Sequence, residues 1–222
     1  ALPEDRDLRV AQVAALRRDG DVRGAQKAAT EALRLDANNL SLYNNVGLAY
    51  LESGDPAMAR FVFQKANGSI AGAENDAAVQ CNLGRSFFAL GDSVTARAYI
   101  ERALELDPQL LPALLAYSQM LLEDRAYLEA IPLLERAVEY DPSNASLLVN
   151  LGAAYNGAGR GEEAIAVTER AASVDASAGP VLFNLGVLYG DVRFDYEKAI
   201  STLNKYTAKS GPASSRANEY IE

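Results

Sequence analysis

The feature that most constrains this chain is a spacing. A small residue recurs as Val13, Gly47, Gly84, Ser118, Gly152 and Gly186, and four of the five intervals are 34 residues. The exception, Gly47 to Gly84, is 37 and places a three-residue insertion in the connector NGSIAGAEND. Alanine recurs in step as Ala25, Ala59, Ala96, Ala130, Ala164 and Ala199, and again as Ala32, Ala66, Ala103, Ala137 and Ala171. Self-similarity at such a period means one supersecondary unit built several times, each copy burying its apolar face on the next.

The residue types fit a pair of antiparallel helices. Two helices approach closely only where the facing positions carry no bulk, which glycine and alanine provide. Larger side chains fill the remaining space: Leu16, Tyr50, Phe87, Leu121, Tyr155 and Tyr189 from the first helix of each copy, Phe63, Ile100, Leu134 and Leu203 from the second. The amphipathic period accounts for this stripe as core.

One copy, residues 77–110, reads AAVQCNLGRSFFALGDSVTARAYIERALELDPQL. Its Asn82-Leu83-Gly84, Phe87, Gly91-Asp92, Ala96, Ile100, Ala103 and Pro108 carry a pattern that resembles the tetratricopeptide repeat family. The resemblance implies an all-α fold without strands, a right-handed superhelix (α-solenoid) of six helix-turn-helix repeats. They are expected at about 6–39, 40–76, 77–110, 111–144, 145–178 and 179–208 of a single domain, 1–222. Ala217, Tyr220 and Ile221 at helical spacing predict a capping helix over 212–222.

Local signals add detail. Residues 1 to about 5 are expected as a frayed lead, with the first helix starting near Asp5 or Asp7. Asp55 reads as an N-cap with Pro56 in the first turn, and Asn67-Gly68 as the stop of that helix. In the fourth repeat Arg125 takes the place of the turn glycine, and Pro132 falls inside the second helix, where it deletes a hydrogen bond to Leu128 and should bend the helix. Tyr206 replaces the sixth copy's second alanine, so looser or terminal packing is expected there. Gly157 reads as a turn flank.

Composition removes whole classes of function. The chain has no histidine, which leaves no histidine-based triad, few routes to catalytic zinc and no ordinary neutral-pH acid-base residue. No catalytic residue, cofactor or metal site is expected, and no small-molecule substrate. GAGRG at 157–161 lacks the lysine and Ser/Thr of a phosphate loop. Residues 1–39 carry seven charges of each sign and the remainder 14 basic against 23 acidic, so no basic stripe invites nucleic acid or an anionic membrane. The longest apolar run, 110–122, is too short to span a bilayer and contains Pro112, Ser118 and Gln119. The single cysteine, Cys81, permits no internal disulfide and reads as a small helix or groove residue.

The candidate binding residues come from one register of the first helices, which reads Ala11, Asn45, Asn82, Ala116, Asn150 and Asn184. In the family it resembles, these helices line a concave groove and this position points inward. Asparagine both donates to and accepts from a peptide backbone, so Asn45, Asn82, Asn150 and Asn184 would hold an extended chain. The competing reading is that they bond only within the array. Asn44, Leu48, Arg85, Phe88, Gln119, Leu115, Asn156 and Phe183 fall at neighbouring positions. Inward positions of repeats two to four offer only Arg85, so the basic clamp by which chaperone adaptors of the family grip acidic tails is missing.

A narrower resemblance follows from repeat number, the enlarged second junction and NLGRSFFALGDSVTARAYIERALELDPQLLPALL, which is similar to pilotin lipoproteins of type IV pili. FNLGVLYGDVRFDYEKAISTLNKY is similar to repeat proteins of bacterial gliding motility. Both imply a protein-binding scaffold of an envelope machine, periplasmic or associated with the outer membrane through a lipid anchor not present in this chain. The alternatives are a regulatory repeat domain of a larger enzyme or signalling protein and a cytoplasmic secretion chaperone.

Overall fold

The computed structural model describes residues 3–176 and 178–210. Twelve α-helices and one short 3-10 helix occupy them, with no strand among the described residues. The helices are α1 (Pro3–Arg18), α2 (Val22–Leu35), α3 (Leu40–Glu52), α4 (Pro56–Ser69), α5 (Ala77–Ala89), α6 (Ser93–Leu106), α7 (Leu111–Glu123), α8 (Tyr127–Tyr140), α9 (Ala145–Gly157), α10 (Gly161–Val174), α11 (Gly179–Asp191) and α12 (Tyr196–Ser210). The chain divides into two compact units, residues 1–116 and 117–222. The capping helix expected at 212–222 lies outside the described residues.

In unit 1 the pairs α1/α2, α3/α4 and α5/α6 pack internally, and α2 also packs on α3 and α4 on α5. Unit 2 repeats the scheme with α9/α10 and α11/α12, and with α8 on α9 and α10 on α11. The small residues sit at the crossings. A Cβ built on Gly84 would lie 2.5 Å from Ile100 Cγ1 and 2.9 Å from the Ala96 carbonyl oxygen, and one on Gly186 would lie 2.5 Å from Leu203 Cγ. Gly47 is closed off in the same way by the Phe63 ring and Gly152 by Thr168. Ala59, Ala96, Ala130 and Ala164, together with Phe63, Ile100 and Leu134, have no exposed surface.

The turns explain the glycine-aspartate signature. Gly20, Gly54 and Gly91 adopt φ of 79°, 76° and 83°, a region closed to most side chains by their Cβ. The aspartate that follows each (Asp21, Asp55, Asp92) accepts from the backbone N–H three residues on and caps the second helix. Two turns lack the glycine: Arg125 and Phe194 stand at φ of 57° and 55°. The left-handed conformation costs a residue with a Cβ about 1–2 kcal/mol. Between repeats, Asn39 and Asn144 cap α3 and α9 while their amides donate to Asp36 and Asp141 at the end of the preceding helix.

Four boundaries differ from the sequence reading. Helix α1 already includes Pro3, a residue whose fixed φ suits a first turn. Helix α4 runs through Asn67 and Gly68 to Ser69, because the left-handed residue that turns the chain is Gly72. The insertion is then ordered as a 3-10 turn, Ala73–Asn75, held by Gln80: its Nε2 donates to Asn67 Oδ1 and to the carbonyls of Ala73 and Glu74. Helix α12 continues to Ser210, two residues past Ala208. Gly157 is the last residue of α9 rather than a turn flank, and a Cβ there would meet the Tyr127 ring at 2.6 Å. Pro132 lies inside α8 on an exposed position, one turn after the exposed Leu128 whose carbonyl loses its donor. Tyr206 is half-buried and packs its ring on Phe183 at 5.5 Å, filling space that an alanine leaves elsewhere.

Candidate functional site

The first helices carry the candidate residues, and the structure separates them into three states. Asn82 on α5 is buried, 6% exposed, and its Oδ1 accepts from Arg85 Nη1 at 3.3 Å. Asn45 on α3 is half-buried and donates to the Ser41 carbonyl of its own helix at 2.9 Å. Asn150 on α9 and Asn184 on α11 are half-buried, and their amides have no hydrogen-bond partner among the described residues. Asn44 is half-buried with Oδ1 enclosed and unpaired, while Leu48, Arg85 and Phe88 are half-buried on the same helices. Gln119 is exposed and donates to Glu123 at 3.2 Å. In unit 1, then, two of the amides are committed inside the protein; in unit 2 two are not.

A cleft of about 230 Å³ in unit 2 brings several of these residues together. Gly152, Ala153, Asn156 and Gly157 of α9, Phe183, Asn184, Val187 and Leu188 of α11, and Tyr127 at the start of α8 line it. Asn150 is not among them. The glycines keep the α9 side low, and the absent side chain at Gly157 is what lets the Tyr127 ring close that end. Two aromatic rings, two free amides and no charged side chain make a lining suited to an uncharged side chain with its peptide groups. Sequence reasoning had Asn156, Phe183 and Asn184 but not Tyr127 or Gly157. The available signal was a glycine inside a helix, which costs propensity and so has a packing reason.

The walls are braced by a device the sequence reading did not find. Tyr155 donates its hydroxyl to Glu135 at 2.5 Å, and one repeat later Tyr189 donates to Glu169 at 2.8 Å. Each bond ties a first helix to the second helix of the preceding repeat. Cations lie over the two rings: Arg160 at 4.5 Å from the Tyr155 centroid and Lys198 at 4.1 Å from that of Tyr189. Burial, then the bond to the Glu135 carboxylate, pushes the Tyr155 phenol up to about 12. Arg193 reaches back from the last turn to Glu162 at 2.9 Å and Glu169 at 3.4 Å. In unit 1 the corresponding ring is Phe87, stacked on Tyr99 at 5.4 Å beneath the Arg60 guanidinium.

Other chemistry is sparse. Cys81 is 1% exposed, and burial pushes its thiol up to about 11 against a small opposing pull from Arg85. Among the described residues no three His, Cys, Asp or Glu side chains could hold a metal ion, and no helix is long and apolar enough to cross a membrane.

Tetratricopeptide repeat models match residues 10–74, 77–110 and 121–182. The chain belongs to the tetratricopeptide repeat family. Its fold is the all-α solenoid of that family. No curated protein matches it. Among solved structures it is similar to PilF of Pseudomonas aeruginosa, at 16% identity over 99% of this chain and 98% of that one, with a TM-score of 0.82. It is also similar to MamA (41-end) from Desulfovibrio magneticus RS-1, at 24% identity over 77% of this chain and 94% of that one, TM-score 0.68. YrrB, described as a tetratricopeptide protein with an unusual peptide-binding site, matches at 18% identity over 87% of this chain and 98% of its own, TM-score 0.68. At these identities the likeness is one of fold, and the family and its neighbours support a role in protein interaction.

Proposed function

We propose that this tetratricopeptide repeat chain is a non-enzymatic scaffold that holds an extended segment of a partner protein along the first helices of unit 2. The observation that carries the reading is the uncharged cleft between α9 and α11, with the free amides of Asn156 and Asn184 beside the Phe183 and Tyr127 rings. Amides without internal partners can exchange water for a peptide backbone, and the rings exclude water from those bonds. Asn150, on the same helix as Asn156 and equally free, extends the donor set. In unit 1, Asn45 and Asn82 spend their amides on Ser41 and Arg85 instead. Isotope-edited NMR of the chain with a bound partner segment should perturb amides of α9 and α11; perturbations confined to the second helices would refute the assignment.

We further propose that the partner belongs to a bacterial envelope assembly of the type IV pilus or motility kind, with this chain acting in a pilotin-like way. The resemblance in residues 82–115 supports this, as does the fold likeness to PilF over 99% of the chain. Fractionation of cells expressing the natural gene tests it: recovery with the periplasm or outer membrane is expected, and recovery in the cytoplasm would overturn it.

A further inference from the structure

A second depression of about 400 Å³ adjoins the cleft, sharing Tyr127 and Gly157 and lined otherwise by Arg125, Ala126, Leu128, Glu129 and Ala158. Arg125 is exposed, and its guanidinium has no partner among the described residues. The other arginines of these turns are engaged, Arg160 with Glu163 and Arg193 with Glu162 and Glu169. Arg125, like Phe194 in the last turn, also stands at the left-handed position that Gly20, Gly54, Gly91 and Gly159 fill elsewhere. The chain thus keeps a conformationally costly residue at a place where glycine serves every purpose of the turn, and the side chain retained at that cost is an unpaired cation on the wall of a depression.

We propose that Arg125 is a specificity residue for the partner segment: it receives a carboxylate next to the uncharged side chain seated between Tyr127 and Phe183. This rests on the reading of the cleft as the peptide site. Because the two depressions share a wall, side chains two residues apart on one face of an extended segment reach both. The first, with no charge in its lining, accepts an apolar or aromatic group; the second offers the guanidinium fork, which matches a carboxylate. Glu129 in the same depression opposes an incoming acid, so its removal strengthens the preference.

The test titrates the isotope-labelled full chain with two capped peptides, acetyl-Gly-Glu-Gly-Phe-Gly-amide and its lysine counterpart, at low and high salt. The acidic peptide is expected to bind about two- to five-fold more tightly at low salt, as for exposed ion pairs. That advantage is lost in Arg125→Gly, grows in Glu129→Gln and shrinks with salt. Arg125→Gly should melt no earlier than the parent, since glycine relieves the turn, so loss of preference cannot be ascribed to unfolding. Equal binding of the two peptides, or an acid preference that survives Arg125→Gly, overturns the assignment and leaves the cleft standing. If neither peptide perturbs α9 or α11 at millimolar concentration, the cleft reading fails and this one with it.

Discussion

Replacing Gly84 and Gly68 by alanine, one at a time, separates close helix packing from helix propensity. Both glycines lie inside helices, α5 and α4, and alanine in a helix is favoured over glycine by roughly 0.8–1 kcal/mol. Nothing lies within 4 Å of a Cβ at Gly68, so Gly68→Ala should stabilise the protein by up to that amount. At Gly84 the new methyl meets Ile100 Cγ1 at 2.5 Å and the Ala96 carbonyl oxygen at 2.9 Å. Ile100 is itself fully buried and the carbonyl is backbone, so neither can swing aside and α5 must part from α6. Overpacking of this kind costs about 1–3 kcal/mol. Because the propensity gain is common to both variants, their difference measures the clash. In a chain of this size each kcal/mol shifts Tm by about 2–4 °C, so thermal melts followed by circular dichroism resolve it. Gly84→Leu should melt lower still, and below Gly157→Ala, whose methyl meets only a tyrosine ring. If Gly84→Ala is stabilised as much as Gly68→Ala, the α5/α6 contact is not as close as described and the argument for small residues at the 34-residue spacing fails.

Tyr155→Phe removes the hydroxyl bond to Glu135 and should cost about 1–2 kcal/mol. Because the folded state holds this phenol up near 12 against the ordinary 10, its contribution is intact below pH 10 and is lost as pH rises toward 12; the variant's stability should fall less steeply over that window. Cys81, buried with a thiol raised to about 11, should resist aromatic disulfide reagents at pH 8 until the chain unfolds; rapid labelling of the native protein would refute its burial. Asn150→Ala with Asn184→Ala should leave Tm nearly unchanged and weaken partner binding, each lost hydrogen bond being worth roughly 0.5–1.5 kcal/mol. Asn82→Ala should instead lower Tm, since it leaves the half-buried Arg85 without its acceptor. A double variant that binds normally but melts early would move the binding surface elsewhere.

The sequence by itself determined the fold, because the signals were local and repeated. Glycine and alanine at a fixed period say where helices cross, and Gly-Asp pairs say where one helix ends and the next is capped, without reference to any distant residue. It determined helix type more firmly than helix ends: α4 ran past Asn67-Gly68, where a glycine was tolerated inside the helix and the turn was made at Gly72. Tertiary structure alone decided the states of the four asparagines. They are equivalent in register, yet Asn82 is buried while Asn184 stays open beside Phe183, because the elements packed around each differ. It alone showed that Tyr127 lies over Gly157, and that Tyr155 and Tyr189 reach carboxylates on the preceding repeat. Such contacts join residues 20 or 30 positions apart, and their existence depends on how one helix pair sits on the next, which periodicity cannot specify.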